Sequence, residues 1–190
     1  MTRVFIAVDL DAPTREALAR LLRRVAHVLP RARVVAPETL HVTLAFLGEL
    51  DDQRLAEAIA AAREVAAEAA PFSLAPGHIG IFGPDDAPRV IWLALGGQVR
   101  RLIALQRRLA HALEARGFTL DPRPFSPHLT LARLTAPPGE YGLLGLRELR
   151  SQPSRKDSWQ VDDVRVMRSD LTPAGARYTP LAIIPLGAPN

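Results

Sequence analysis

Two short runs of residues carry the types and spacing that proton-transfer chemistry needs. His41-Val42-Thr43-Leu44-Ala45 recurs as His128-Leu129-Thr130-Leu131-Ala132, with a single exchange of Val for Leu. In an extended strand successive side chains point to opposite faces. His and Thr, two apart, therefore share one face, while Val42 with Leu44, and Leu129 with Leu131, share the other. Each run is a strand with an apolar back and a His/Thr front. If the two strands face each other, two imidazoles and two hydroxyls converge on one cleft. Such a set has the means to hold a phosphate diester and cleave it by acid–base chemistry without a metal.

A single His-x-Thr in a strand reads as a structural histidine bonded to its neighbours. Two copies, one in each half of the chain, favour a shared site. Metal binding is the competing explanation, because imidazole is a common metal ligand. A two-histidine site needs a third ligand, usually a carboxylate or another His. Glu38 and Glu49 flank the first run and Asp121 precedes the second, but none falls on the His/Thr face at strand spacing. We therefore expect no metal and no cofactor. The remaining histidines read differently. His27 and His111 lie among arginines in amphipathic helices, and His78 follows Pro76-Gly77 in a turn.

The elements that must position these strands follow from hydrophobic periodicity. Residues 3–10 read as a buried strand. Pro13 suits a first helical turn, Leu18, Leu21, Leu22, Val25 and Leu29 follow at helical spacing, and Pro30 stops the run. Residues 33–36 form a short extended piece before the first His/Thr strand, which covers about 40–47 and ends at Gly48. Asp51 or Asp52 caps a second helix that ends at Pro71. Two strands, FSLAPGHIGIF and RVIWLAL, flank a turn near 83–88. A third helix through Leu102, Leu109 and Leu113 stops at Gly117, and the second His/Thr strand follows at about 128–134. Residues 135–158 read as a surface loop with a short helix near 141–149. QVDDVRVMRS and RYTPLAIIPL read as closing strands. The order implies an α+β protein of one domain, residues 1–190, with two similar lobes related by duplication and a lobe boundary near Pro71.

Composition narrows the function. The 190 residues contain no Cys, which excludes disulfide scaffolds, thiol catalysis and Cys-based zinc sites. No apolar run reaches the ~18 residues a membrane span needs, and the N-terminal run is too short for a signal peptide, so we expect a cytoplasmic protein that avoids membranes. Net charge is +4, and only Lys156 among the basic residues is a lysine. Guanidinium groups grip phosphate in a two-pronged geometry, which fits a nucleic-acid ligand. A GC-rich genome would produce the same bias.

The paired His-x-Thr runs resemble those of the two-histidine (2H) phosphoesterase family, and within it the bacterial and archaeal RNA 2′,3′-cyclic phosphodiesterases, also called 2′-5′ RNA ligases. RVFIAVDL, LHVTLAFLGEL, RVIWLAL, RPFSPHLTLAR and SDLTPAGARYTPL resemble family segments in the same order, so the likeness spans nearly the whole chain apart from 135–158. It implies a two-lobed fold with a pseudo-twofold axis, antiparallel sheets lining a central cleft and helices outside. It implies a monomer acting on RNA with 2′,3′-cyclic phosphate termini, or on small cyclic nucleotides, and yielding 2′-phosphomonoesters with reversible, ATP-independent 2′-5′ ligation. His41 carries over as proton donor to the leaving 3′-oxygen, His128 as proton acceptor from water, and Thr43 and Thr130 as phosphate-contacting hydroxyls. Arg133, Phe46 and Tyr178 match further family positions, as do Ser169 and Arg177. Strict alternation puts Arg133 and Phe46 on the wrong face, so Arg133 needs a twist or a strand end to reach phosphate, and Phe46 reads equally well as core. The alternatives are an RNA-end binding module without turnover, or a related enzyme acting on another cyclic or 2′-5′ linked nucleotide.

Overall fold

The computed structural model describes residues 1–151, 158–173 and 175–187. Its elements run β1 (Thr2–Val8), α1 (Ala12–Val28), β2 (Arg33–Val34), a 3₁₀ turn (Pro37–Thr39), β3 (Val42–Leu50), α2 (Asp52–Ala67), β4 (Phe72–Phe82), β5 (Val90–Gly97), α3 (Val99–Glu114), β6 (His128–Arg133), α4 (Gly139–Ser151), β7 (Trp159–Val161), β8 (Asp163–Thr172) and β9 (Gly175–Pro185). The helix expected near 141–149 is longer than the sequence suggests. Residues 152–157, the rest of that expected loop, lie outside the described residues.

The strands form two antiparallel sheets, one ordered β3-β1-β8-β9 and the other β2-β6-β5-β4-β7. Apart from the short β2, which joins the second sheet early, the chain passes from the first sheet to the second between α2 and β4, at Pro71, and returns after β7. The first sheet therefore takes strands from both ends of the chain. The stretch expected as one strand, QVDDVRVMRS, breaks at Asp162 into β7 and β8, which belong to different sheets. The break leaves the Asp162 carbonyl free to accept the Leu186 N–H at 2.8 Å. Trp159 on β7 is buried and donates its indole N–H to the Asp9 carbonyl at 3.1 Å, tying the second sheet to the end of β1.

The helices form where the apolar spacing and the caps agree. The Asp11 carboxylate accepts the Thr14 N–H at the start of α1, and Asp51 accepts the Arg54 N–H at the start of α2, both at 2.8 Å. Leu18, Leu22 and Val25 of α1, and Leu102, Leu105, Leu109 and Leu113 of α3, are buried stripes at helical spacing. Gly117 takes φ = 73° just past α3, a conformation only glycine adopts without strain. The covering is crossed. Helix α1 follows the first strand yet packs on β2 and β6 of the second sheet beside α4, while α2 and α3 pack on β3, with α2 reaching β8 and β9. Each half of the chain thus supplies a helix to the other half's sheet. Among the described residues no helix is long and apolar enough to cross a membrane. Asp51→Ala should cost about 1 kcal/mol, the usual loss for an N-cap. That loss should appear in chemical denaturation as a lower midpoint with an unchanged slope.

Candidate active site

Both histidines of the paired runs are oriented in the same way. His41 donates Nδ1–H to the Thr39 carbonyl at 2.7 Å, and His128 donates Nδ1–H to the Ser126 carbonyl at 2.7 Å. A carbonyl only accepts, so Nδ1 holds the proton in each ring and Nε2 is left for chemistry. His41 Nε2 lies 3.0 Å from Thr43 Oγ1, close enough for the hydroxyl to donate to a neutral ring. The Thr39 carbonyl sits in the 3₁₀ turn, which Arg15 clamps by donating Nη1–H to the carbonyls of Pro37 (2.7 Å) and Leu40 (3.2 Å). Arg15 in turn pairs with Asp9, Asp9 with Arg165, and Arg165 with Asp163. This alternating chain ties α1, the end of β1 and β8 to the turn that holds His41.

Both strands carry a β-bulge at the same place. Against β1, Ala7 faces Thr43 but Ile6 faces Ala45, so Leu44 is an extra residue. Against β5, Trp92 faces Thr130 but Ile91 faces Ala132, so Leu131 is extra. One extra residue reverses the face of everything after it. Leu44 and Ala45, and likewise Leu131 and Ala132, are buried in succession, and Phe46 and Arg133 return to the His/Thr face as exposed side chains. Strict alternation misplaces these two residues. The signal in the sequence is the Leu-Ala pair common to both copies.

Aromatic rings wall both imidazoles. Phe5 and Tyr178 lie 4.8 and 5.1 Å from His41, centroid to centroid, and Phe82 and Trp92 lie 5.1 and 6.2 Å from His128. His78 is exposed and joins this second wall, 5.8 Å from Trp92. The sequence alone does not point to Phe5, Phe82, Trp92 or Gly80, because they come from neighbouring strands whose register it does not reveal. Gly80 pairs with Trp92, and a Cβ there would overlap the indole, so the missing side chain lets Trp92 lie across β4. Tyr178 faces the site opposite Ser169, its register partner on β8. Arg177, the preceding residue on β9, points to the other face. His27 and His111 are exposed on the outer helices. Among the described residues no group of three His, Asp or Glu gathers as a metal-ligand set. Glu38 lines a cavity of about 50 Å³ beside His41, together with Phe5, Asp9, Arg165 and Tyr178.

A family model of the 2′-5′ RNA ligase superfamily matches residues 11–173. The chain belongs to this superfamily. An RNA 2′,3′-cyclic phosphodiesterase of Geobacillus stearothermophilus is 35% identical over 189 residues, covering 98% of this chain and 58% of that relative, so the chain spans less than two thirds of its length. The RNA 2′,3′-cyclic phosphodiesterase of Archaeoglobus fulgidus is 32% identical over 181 residues, covering 95% of this chain and 98% of the relative. The crystal structure of TT0787 from Thermus thermophilus is similar, with a TM-score of 0.82 at 29% identity over 98% of both chains. The architecture of this superfamily member, antiparallel sheets with helices outside, agrees with that likeness.

Electrostatics link the two sides of the cleft. Burial pushes the His41 pKa below the ordinary histidine value. The Thr39 carbonyl and Asp9 oppose the shift, while Arg15 and a charge on His128 add to it. The two imidazoles therefore feel each other. Burial raises the Tyr178 pKa, against the nearby charges of Arg133 and Arg3. Arg133 belongs to the second sheet and Tyr178 to the first, so the influence of its charge crosses between the sheets. Arg3 stacks over Phe46 at 5.0 Å. The superfamily member thus has two imidazoles, two hydroxyls and two cleft-facing guanidiniums within one electrostatic neighbourhood. Gly80→Ala should displace Trp92 and cost about 1–3 kcal/mol, as overpacking does. The measurement is thermal unfolding together with tryptophan emission, and an unchanged melting temperature would mean the indole has room to move.

Proposed function

We propose that the chain opens 2′,3′-cyclic phosphates at RNA ends to 2′-phosphomonoesters. His128 accepts the proton of the attacking water, and His41 gives a proton to the departing 3′-oxygen. The observation that carries this reading is the matched pair of imidazoles, each with Nδ1 tied to the carbonyl two residues upstream, so that Nε2 is the nitrogen left for proton transfer. Proton transfer through one ring and back through the other needs one ring neutral and one charged. The lowered His41 pKa makes its imidazolium a ready donor, and the charge of a bound diester counters the burial that disfavours that imidazolium. Once His41 is charged, its Nε2 no longer accepts from Thr43, so the Nε2–H is directed at the 3′-oxygen and the Thr43 hydroxyl is free to donate to a phosphate oxygen. Thr130 and the cleft arginines stabilise the negative charge that grows on the equatorial oxygens. The names of the curated relatives, RNA 2′,3′-cyclic phosphodiesterases, support the substrate class.

Water and a ribose 5′-hydroxyl are interchangeable nucleophiles in this displacement. His128 deprotonates either, so the same site joins two RNAs through a 2′-5′ bond, driven by the strained ring and without ATP. Hydrolysis dominates because water far outnumbers 5′-hydroxyl ends. Incubation of the protein with a 2′,3′-cyclic nucleotide in EDTA should give the 2′-phosphomonoester at full rate. A 3′-phosphomonoester would mean that the leaving oxygen is misassigned, and inhibition by EDTA that a divalent ion reverses would revive metal catalysis. His41→Ala and His128→Ala should each lower turnover by at least ~10². Thr43→Ala or Thr130→Ala should cost about 0.5–1.5 kcal/mol, roughly two- to tenfold in rate.

The His41 shift also fixes the direction of a pH dependence. kcat/KM reports the free enzyme, where His41 must carry its proton to act as donor. Because its pKa is lowered, the charged fraction is lost as pH rises through a value below about 6.5. kcat/KM should therefore fall across neutrality as pH rises, and the ring restored to a water-like environment should hold activity to higher pH. Phe5→Ala, which opens one wall of His41, should move this limb upward. A limb that stays in place would assign it to another group.

A further inference from the structure

We infer that Arg33 and Arg133 form a two-phosphate track, with Arg133 at the reacting phosphate and Arg33 on the next phosphate up the chain, so that an oligonucleotide end binds more tightly than a mononucleotide. This rests on the proposed reaction at the same cleft and names its substrate class.

Strand register places both arginines in the cleft. On β2 and β6, Arg33 lies directly opposite Arg133, and Val34 opposite Ala132. Directly opposed residues of an antiparallel pair share a face. Ala132 is fully buried and Val34 packs against the core, so the arginines occupy the other face. That face is the cleft. Arg133 is also opposite Val90 on β5, two residues from Trp92, which faces Thr130. Both arginines are exposed. Like charges placed directly opposite destabilise a strand pair, and among the described residues neither arginine has an acidic partner. Eight other arginines do have one: Arg15, Arg54, Arg108, Arg116, Arg123, Arg150, Arg165 and Arg168 pair with carboxylates. Two adjacent guanidiniums facing an open cleft are relieved by an anion, and phosphate suits their fork geometry.

Position separates their tasks. Arg133 lies on the same strand as His128 and Thr130 and shares the Thr130 face, so it stands with the reacting groups. Arg33 stands on the edge strand of the second sheet, one strand farther from His128 and Thr130. Neighbouring strands are about 4.8 Å apart, so the track leads outward by one strand. A cyclic mononucleotide has a single phosphate and leaves Arg33 unpaired. An RNA end has a second phosphate to offer it.

The test uses products, which bind without reacting. Calorimetry compares a nucleoside 2′-monophosphate with a dinucleotide bearing a 2′-phosphate end, in wild type, Arg33→Ala and Arg33→Lys, across salt concentrations. Wild type should bind the dinucleotide more tightly. R33A should lower the dinucleotide-to-mononucleotide affinity ratio at least tenfold. It should also reduce the salt slope for the dinucleotide by about 0.7, the loss expected for one single-strand phosphate contact. R33K should restore the slope. The inference is overturned if R33A weakens both ligands equally, or changes neither, in protein whose melting temperature matches wild type. Turnover of the matching cyclic substrates is measured in parallel. Track-dependent binding with neither ring opened would sink the catalytic reading and leave the track. Turnover of both with an R33A ratio equal to wild type would sink the track alone.

Discussion

The fold turns on two hydrogen bonds from imidazole Nδ1 to the carbonyl two residues upstream. Each fixes a tautomer and a ring direction, and each needs the chain to enter its strand extended, with a carbonyl aimed back along the strand. For His41 that carbonyl belongs to a 3₁₀ turn, and the turn is held by Arg15, itself anchored through Asp9 and Arg165 to β1 and β8. A partly buried charge chain of this kind contributes little net stability. Its effect is positional. Removing one carboxylate would leave the turn unclamped and the imidazole free to rotate away from the cleft.

The two bulges do the same work for the side chains beyond each His-x-Thr. A regular strand would turn Phe46 and Arg133 into the core, where a guanidinium without a partner is costly. The extra Leu reverses the parity, and Ala follows it because two buried residues in succession leave little room for the second. One device used twice puts a ring on one side of the cleft and a cation on the other. The crossed helices then lock the two sheets: α1 packs on the second sheet and α3 on the first, so neither half can shift without disturbing the other's core.

Much of this was readable in the sequence, and the misses have physical causes. Helical periodicity and the Asp11 and Asp51 caps depend on local spacing, so α1, α2 and α3 were legible. The shared face of His and Thr follows from strand pleating alone. The face of Phe46 and Arg133 does not, because a bulge is set by pairing with β1 and β5, which local alternation cannot see. The break at Asp162 is hidden for the same reason: β7 and β8 read as one run, yet their partners lie in different sheets. The walls of Phe5, Phe82 and Trp92 depend on strand register between segments far apart in sequence.

The arginine excess divides along the fold in a way that composition cannot show. On the outer helices, Arg54 pairs with Glu57, Arg108 with Glu68 and Arg116 with Glu64, and such exposed pairs add little to stability. Arg54 also stacks over Phe118 at 3.7 Å and donates to the Arg116 carbonyl at 2.7 Å, so it uses its guanidinium plane. At the cleft, Arg3 stacks on Phe46 while Arg133 and Arg33 stand side by side with no carboxylate between them. Stacking on a ring and two-pronged binding of phosphate are properties of guanidinium that ammonium lacks. Codon bias is enough for an exposed helix arginine such as Arg108, paired with Glu68, where either base would serve. It does not account for unpaired arginines at a cross-strand position whose geometry penalises them, and a phosphate chain in the cleft does.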